Sequence, residues 1–363
     1  MLPKRILLLG AFGPFGRRIA QSLARLPDAE CLLGAEPTNT AERLAREIGV
    51  RVVAVNPHEP ESIRHALPGV FAVVNTCGPF LEPAYTVAEQ CAEHGVHYVD
   101  PSDARDYLDG MQRLARVAER SGSLLVTAAS AAPAVSAALV EMLRPEFDRV
   151  REIHTCLSPG ARDQRELATM RAILSYADNP PRMKERGRWR EFHYWSRPQT
   201  VAFPKPLGRR RAYLCDHPDL DLFPKRYGAQ TVTFRIALPW RSFNLALAGV
   251  GWLRRQDVIT KTPASLLTLA RAGARLLPTR RLPGGIRVEL RGERRGEELT
   301  HTVALLARDR HSAAISTAPI LALVKQWLAR GVAQPGVMPC VGLLSWDELK
   351  AELLDYDIVL VRS

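Results

Sequence analysis

The sequence has no long hydrophobic run, no closely spaced pair of cysteines and no pair of histidines at metal-ligand spacing. Its longest uncharged stretch, residues 122–140, is rich in alanine and contains polar residues, so it predicts a strand, a turn and a helix start instead of a membrane span. The six cysteines form no C-x-x-C pair, which excludes a zinc framework and is typical of a reducing compartment. The nine histidines show no H-x-x-x-H or H-E-x-x-H pattern, so we predict no metal site.

The start of the chain does not favour a secretory signal. The apolar run after Lys4 and Arg5 is only about eight residues long, and Arg17 and Arg18 stand where a cleavage site needs small residues. A later apolar segment, residues 243–253, is too short to span a membrane. It lies either on a membrane surface or in the core, and we favour the core. We therefore expect a cytoplasmic protein.

Positive charge is concentrated in the second part of the chain. The 363 residues include 50 Lys and Arg against 38 Asp and Glu, and 46% are hydrophobic, as in an ordinary globular protein. Residues 1–150 carry a net charge of −3 and the remainder carries +15. Residues 182–211 alone hold ten basic and two acidic residues, interleaved with aromatic ones. This segment predicts contact with an anion, which leaves an acidic substrate, a lipid headgroup or nucleic acid as partners. We expect no specific nucleic-acid binding.

Short apolar strands alternate with helices up to about residue 130. Continuous apolar runs indicate strands buried on both faces, and their regular alternation with helices predicts a Rossmann-type, doubly wound parallel sheet of the α/β class. The predicted strands are 5–9, 29–35, 51–55, 70–75, 97–99 and 124–127. The predicted helices are 17–26, 40–48 with Thr40 as its cap, 60–67, 85–93 and 110–121.

The pattern changes from about residue 150, where stretches rich in aromatic residues, proline and arginine begin. Residues 230–238 alternate as an antiparallel strand does. Residues 285–291 and 300–307 also alternate, with a turn between them, which predicts a hairpin. We therefore predict a dinucleotide-binding domain at 1–132 and a second α+β domain, for substrate binding and dimerisation, at 133–363. The C-terminal tail of the second is expected to pack back on the first.

Three glycines follow the first predicted strand in the pattern G-x-x-G-x-x-G. Gly10 would permit a tight turn, Gly13 the close approach of a pyrophosphate and Gly16 the contact between helix and strand. Glu36 lies 20 residues after Gly16, at the end of the second predicted strand, where an acid binds the adenosine ribose. The motif predicts NAD binding, with NADP possible; a purely structural glycine turn is the alternative. The predicted loop residues are Gly10, Phe12, Gly13, Pro14, Phe15 and Gly16.

A second loop follows the fourth predicted strand, at the same edge of the sheet. Its small residues and Gly-Pro turn are suited to a nicotinamide ring, and the predicted contacts are Thr76, Cys77, Gly78, Pro79 and Phe80. Cys77 is a candidate nucleophile, although no neighbour in the sequence would activate it, and packing beside the ring is the alternative. Asp100 ends the fifth strand and is the candidate carboxylate for orienting substrate or relaying a proton; capping the next turn is the alternative.

The combination of GAFGPFG (10–16), VVNTCGPF (73–80) and GVHYVDPSD (95–103) resembles the saccharopine dehydrogenase family. The alanine-rich loop at 126–139 and the segment PGGIRVELRG at 283–292 also resemble it. Two positions depart from the family pattern. Pro133-Ala134 stands where the family usually has Pro-Gly, and Glu36 stands where it usually has a basic residue.

The resemblance implies an NAD(P)-dependent oxidoreductase that transfers hydride at a C–N bond of an amino-acid-like substrate. It also implies a nucleotide-binding domain followed by a mixed-sheet domain, in a homodimer. With the charge distribution, it predicts a small, anionic substrate and allows a peripheral membrane contact. The alternatives are a lipid enoyl reductase-like enzyme and a non-catalytic, NAD-binding, membrane-associated protein.

Overall fold

The computed structural model describes residues 2–78, 80, 85–160, 181–239, 244–245, 248–249, 252, 282–308, 311–332 and 334–363. The chain divides into two compact units. The first comprises Met1–Val135 and Ser316–Glu352, and the second comprises Ser136–Ile315 and Leu353–Ser363. The predicted roles of 1–132 in cofactor binding and of 133–363 in substrate binding and dimerisation remain predictions.

The described residues contain sixteen strands and ten α-helices. The strands are β1 Lys4–Leu9, β2 Ala29–Ala35, β3 Arg51–Ala54, β4 Val70–Asn75, β5 His97–Val99, β6 Leu124–Thr127, β7 Arg149–Ser158, β8 Arg182–Glu185, β9 Arg188–Glu191, β10 Ser196–Ala202, β11 Arg209–Leu214, β12 Thr231–Ile236, β13 Gly284–Arg294, β14 Glu297–Ala307, β15 Gly336–Pro339 and β16 Ile358–Arg362. The helices are α1 Pro14–Leu23, α2 Asn39–Ile48, α3 Pro60–Ala66, α4 Thr86–Glu93, α5 Arg105–Met111, α6 Ala115–Ser121, α7 Ser136–Leu143, α8 Asp219–Tyr227, α9 Ser312–Arg330 and α10 Trp346–Ala351.

The first unit is built on a parallel sheet with the strand order β15-β6-β5-β4-β1-β2-β3. Its central strands are apolar because both faces are covered, and Ile6 to Leu9 of β1 are all buried. The strand order reverses between β1 and β4, which places the ends of these two strands side by side. The predicted Rossmann-type, doubly wound sheet is confirmed, and ligands bind such sheets at this point of reversal.

Three of the predicted helices differ from the observed ones in where they begin or in their continuity. α2 begins at Asn39 because the Thr38 side chain accepts a hydrogen bond from the Ala41 N–H at 3.2 Å, so Thr38 is the cap and the predicted cap Thr40 is not. α1 begins at Pro14, within the glycine motif, because proline is suited to the first helical position. The predicted helix 110–121 is instead α5 and α6, joined by a short 3₁₀ turn at Gln112–Leu114.

The second unit is built on a mixed sheet with the order β10-β11-β12-β7-β13-β14-β16. The predicted hairpin is present as β13 and β14, which pair antiparallel along their whole lengths. β12 was predicted as an antiparallel strand; it is antiparallel to β11 but parallel to β7. β8 and β9 form a separate two-stranded hairpin.

The uncharged stretch 122–140 contains β6 and the start of α7, as predicted for a strand followed by a turn and a helix. Among the residues that the structure describes, no helix has the length and apolar character needed to cross a bilayer. In the apolar segment 243–253, Leu245 is 57% exposed and Trp252 53%, so the predicted core position is wrong for these two residues.

Candidate functional site

The turn between β1 and α1 has room for side chains at one of its three glycines and not at the other two. Gly10 has a φ of +84°, and a Cβ there would lie 2.7 Å from backbone and side-chain atoms of Thr76. A Cβ on Gly16 would lie 2.7 Å from the carbonyl carbon of Gly10. A Cβ on Gly13 would meet nothing nearer than 3.8 Å, so the turn is open at this position. This arrangement fits a dinucleotide, whose pyrophosphate has to approach the backbone at the start of the helix.

The start of α1 is also electrostatically suited to an anion. Gly13 is the N-cap residue and provides no side-chain cap, and the first turn carries no acidic residue. The ten-residue helix therefore presents the positive end of its dipole without a competing negative charge. Around it, Phe12 is 54% exposed and Phe15 is half-buried, while Pro14 holds the first helical position.

Thr76 joins the glycine turn to the end of β4. Its N–H and its hydroxyl both donate to the carbonyl of Leu9, at 2.9 and 2.8 Å, and the hydroxyl lies 3.1 Å from the carbonyl oxygen of Gly10. These bonds hold the second predicted loop against the first. The structure therefore brings Thr76, Cys77 and Gly78 together with the glycine turn, as expected of neighbouring strand ends.

The rest of the second loop contacts a group of aromatic rings. Phe80 packs edge to face on Tyr107 with 5.3 Å between ring centroids, and Tyr107 stacks on Tyr85 at 4.9 Å. Gly78 is exposed. Pro79, also a predicted contact, lies outside the described residues. Tyr107 therefore supports the loop that is predicted to shape the nicotinamide site.

A buried polar network lies below this loop. The Asn75 side chain accepts a hydrogen bond from the Cys77 N–H at 3.0 Å and donates to the Tyr98 hydroxyl at 3.1 Å. The Tyr98 and Tyr107 hydroxyls are 3.2 Å apart and share a hydrogen bond. The backbone of the second loop is thus connected, through the side chains of Asn75 and Tyr98, to Tyr107, which packs on Phe80.

Asp100 is the charged member of this buried region and is 0% exposed. Its Oδ1 accepts hydrogen bonds of 2.8 Å from the Ser102 N–H and the Thr127 hydroxyl. Its Oδ2 accepts none from the described residues. Burial raises the pKa of Asp100 to about 6, and the two hydrogen bonds oppose that rise. The predicted capping alternative matches the Ser102 contact; the predicted catalytic role stays a prediction.

Cys77 is half-buried, and among the described residues no cation is placed to activate its thiol. Burial raises the pKa of Cys77 to about 11, which keeps the thiol protonated at neutral pH. The environment favours the packing interpretation over the nucleophile. The other five cysteines are buried, so Cys77 is the most accessible of the six thiols.

We expect iodoacetamide to alkylate Cys77 at pH 8 at least about 10-fold more slowly than it alkylates free cysteine, because little thiolate forms. Peptide mapping by mass spectrometry over a time course measures the rate, with Cys77→Ser marking the background. Alkylation as fast as that of free cysteine would identify an activated thiol instead.

Glu36 is the first residue after β2 and is exposed. It makes no ion pair or hydrogen bond with the part of the chain that the structure describes. The next polar side chain, Thr38, is engaged in capping α2. The carboxylate of Glu36 is therefore available to a ligand that lies along the end of β2.

Two residues of the site were missed by sequence reasoning. Tyr98 lies on β5, two residues before Asp100, which directly follows the strand. The alternation of a strand predicts that both side chains point to the same side, so this spacing was a usable signal. Tyr107 lies on α5, and only the folded structure shows that its hydroxyl reaches Tyr98. Within the described ranges, no group of three or more His, Cys, Asp or Glu residues could hold a metal ion.

Comparisons with known proteins agree with this geometry. Residues 6–139 match the family model of the saccharopine dehydrogenase NADP binding domain. The chain is similar in structure to the apo saccharopine dehydrogenase (L-Glu forming) from Saccharomyces cerevisiae, with a TM-score of 0.73, 14% identity and 99% of each chain covered. It is also similar to the DAP dehydrogenase of C. glutamicum in complex with DAP, with a TM-score of 0.54, 14% identity and coverage of 98% of this chain and 100% of that one. No curated protein matches the chain. At these identities the two structures show a shared fold.

Proposed function

We propose that this chain, whose residues 6–139 match the family model of the saccharopine dehydrogenase NADP binding domain, is an NAD(P)-dependent oxidoreductase that transfers hydride at a C–N bond of an amino-acid-like substrate. The observation that carries the proposal is the open Gly13 position between two glycines that admit no side chain. The two similar structures are dehydrogenases named for saccharopine and for DAP, which supports a substrate of this class.

A bound nicotinamide cofactor would supply hydride-transfer chemistry, and the chain would position the reactants. Gly10, Gly13 and Gly16 would hold the pyrophosphate. Thr76 fixes the second loop against the glycine turn, and this loop is proposed to flank the nicotinamide ring. The net charge of +15 after residue 150 supports an anionic substrate.

The experiment that tests the proposal is an absorbance assay of the purified chain. NAD⁺ and NADP⁺ are offered with a panel of amino acids that carry a secondary or primary amine, and NADH and NADPH with 2-oxo acids plus an amine. We expect turnover with a member of this panel. Turnover confined to an enoyl thioester panel would replace the proposal with the lipid enoyl reductase, and binding of NADH without any turnover would replace it with the non-catalytic protein.

The exposed carboxylate of Glu36 leads us to expect tighter binding of NADH than of NADPH. A free 2′-hydroxyl can donate to the carboxylate, whereas a 2′-phosphate would meet an unpaired negative charge. We expect a difference of about 1–2 kcal/mol, roughly a 5- to 30-fold ratio of dissociation constants. Fluorescence titration of both reduced cofactors at fixed salt measures the ratio.

Glu36→Ala should bring the two dissociation constants close together. Glu42→Ala is the matched control, because Glu42 is an exposed acid in the first turn of α2 and does not follow a strand end. Equal or tighter binding of NADPH by the unmodified protein would contradict the expectation, as would an unchanged ratio in Glu36→Ala.

A further inference from the structure

A cavity of about 380 Å³ lies in the second unit, where α7 and α8 end and β7 begins. All of its lining residues belong to this unit, whereas the glycine turn and the loop after β4 belong to the first unit. A volume of this size is typical of small-molecule sites, and the proposed reaction gives the cavity no role.

Backbone contacts fix the wall of this cavity between α7 and β7. The Phe147 N–H donates to the Arg144 carbonyl at 3.0 Å, and the Asp148 N–H donates to the Glu293 carbonyl of β13 at 2.8 Å. The Phe147 ring is buried and packs edge to face on His301, with 5.5 Å between ring centroids. The wall is therefore formed before any ligand binds, which lowers the entropic cost of binding.

Two arginines of the wall are not fully neutralised. Arg149 is exposed and makes no ion pair within the described ranges. Arg144 lies 3.9 Å from Glu141, whose carboxylate is already bonded to Arg226 at 3.0 and 3.1 Å. Because a guanidinium donates two parallel N–H bonds to a carboxylate, two arginines on one cavity favour a ligand with an acid group.

The same wall also carries a negative charge and a hydroxyl that a ligand could use. Asp148 is exposed, accepts a bond of 2.6 Å from the Arg295 N–H, and makes no ion pair in the part of the chain that the structure describes. The Tyr227 hydroxyl is buried close to Glu141 and makes no hydrogen bond of good geometry with the described residues. An inorganic anion would face the charge of Asp148, whereas a ligand of both charges satisfies the arginines and the aspartate together.

We propose that this cavity binds a free amino acid as its zwitterion, with the carboxylate against Arg144 and Arg149 and the ammonium against Asp148. Phe147 and Val150 supply the apolar part of the wall. The proposal does not rest on the proposed reaction, because none of these residues belongs to the proposed cofactor site and binding here requires no turnover.

The first test is isothermal titration of the full chain with each of the proteinogenic amino acids. The strongest binder is then compared with its deaminated acid, with its decarboxylated amine and with inorganic phosphate. We expect each of these three to bind at least about 10-fold more weakly, because each lacks one of the two charged contacts. No binding of any amino acid, or equally tight binding of phosphate, would overturn the proposal.

The second test locates the bound amino acid. Arg149→Gln and Asp148→Asn should each weaken binding by about 10- to 100-fold. The matched controls are Arg188→Gln and Asp355→Asn, which remove the same charges from exposed positions elsewhere in the second unit and should bind as the unmodified chain does. Circular dichroism melts establish that each variant folds, and Arg144→Gln replaces Arg149→Gln if the latter does not.

Unchanged binding in either Asp148→Asn or the arginine variant would place the amino acid elsewhere, for example at the substrate site of the proposed reaction, and would overturn the proposal. An equal loss in the controls would do the same. A chain that binds the amino acid here and shows no turnover would contradict only the proposed function, so the two proposals fail separately.

Discussion

Replacing Gly16 with alanine is expected to weaken NADH binding at least about 100-fold and to lower the melting temperature by several degrees. The new methyl group would lie 2.7 Å from the carbonyl carbon of Gly10 and 2.8 Å from the Cα of Ala11. Both are backbone atoms, so the turn itself has to move, and the open approach at Gly13 is lost with it. Fluorescence titration with NADH and a thermal melt measure the two effects.

Gly13→Ala is the matched variant, because its methyl group meets no protein atom nearer than 3.8 Å. We expect its stability to change by no more than about 1 kcal/mol, the cost of alanine at an N-cap. NADH binding should still weaken by about 10- to 100-fold, because the methyl group occupies the space the pyrophosphate needs. A Gly13→Ala protein that binds NADH normally would show that the cofactor does not approach the turn at this point.

Replacing Asp100 with asparagine is expected to change how stability depends on pH. The Asp100 carboxyl has a pKa of about 6 in the folded protein, against an ordinary value of 3.8. Between these values the folded protein keeps a proton that the unfolded chain has released, so ionisation of Asp100 lowers stability as pH rises through this window. By pH 7 this ionisation has lowered the free energy of unfolding of the unmodified protein by about 3 kcal/mol. The Asp100→Asn protein should not show this loss, because asparagine does not titrate.

Urea unfolding of the unmodified protein and of Asp100→Asn, at intervals from pH 4 to pH 7, gives the two curves. The free energy of unfolding of Asp100→Asn, relative to that of the unmodified protein, should rise by up to about 3 kcal/mol from pH 4 to pH 7. Asp103→Asn, an exposed carboxyl three residues along, should follow the unmodified protein. Parallel curves for Asp100→Asn would mean that its carboxyl titrates in the folded state as it does in the unfolded chain.

Sequence reasoning predicted most of the first unit because most of its elements have a local signal. Continuous apolar runs such as Ile6 to Leu9 mark strands that are buried on both faces, and the glycine spacing marks the turn between strand and helix. β15 was missed for the opposite reason. It has four residues and ends in Pro339, and nothing in so short a segment indicates a pairing with β6, far back in the sequence.

The candidate site likewise contains residues that the sequence could predict and residues that it could not. The residues predicted at strand ends, such as Thr76, do meet in space, because parallel strands end at one edge of a sheet. The network that links Asn75, Tyr98 and Tyr107 could not be predicted, because it depends on how α5 packs against the sheet. In the mixed sheet of the second unit, strand pairing was predicted only at the hairpin, where the partners adjoin in sequence. The parallel pairing of β12 with β7, much earlier in the chain, has no local signal.

β15 has a consequence for how the chain is made. Its backbone continues the sheet beyond β6, with hydrogen bonds from the Gly336 N–H to the Ser123 carbonyl and from the Cys340 N–H to the Thr127 carbonyl, both at 2.8 Å. About 180 residues of the other unit, Ser136–Ile315, are synthesised between these partners, so the outer edge of β6 stays unpaired until β15 has been made. A ribosome that stalls before residue 336 leaves a nascent chain with the whole glycine motif and an incomplete sheet. The first unit is thus encoded by two separate stretches of the chain, and its sheet is completed only after most of the second unit has been synthesised.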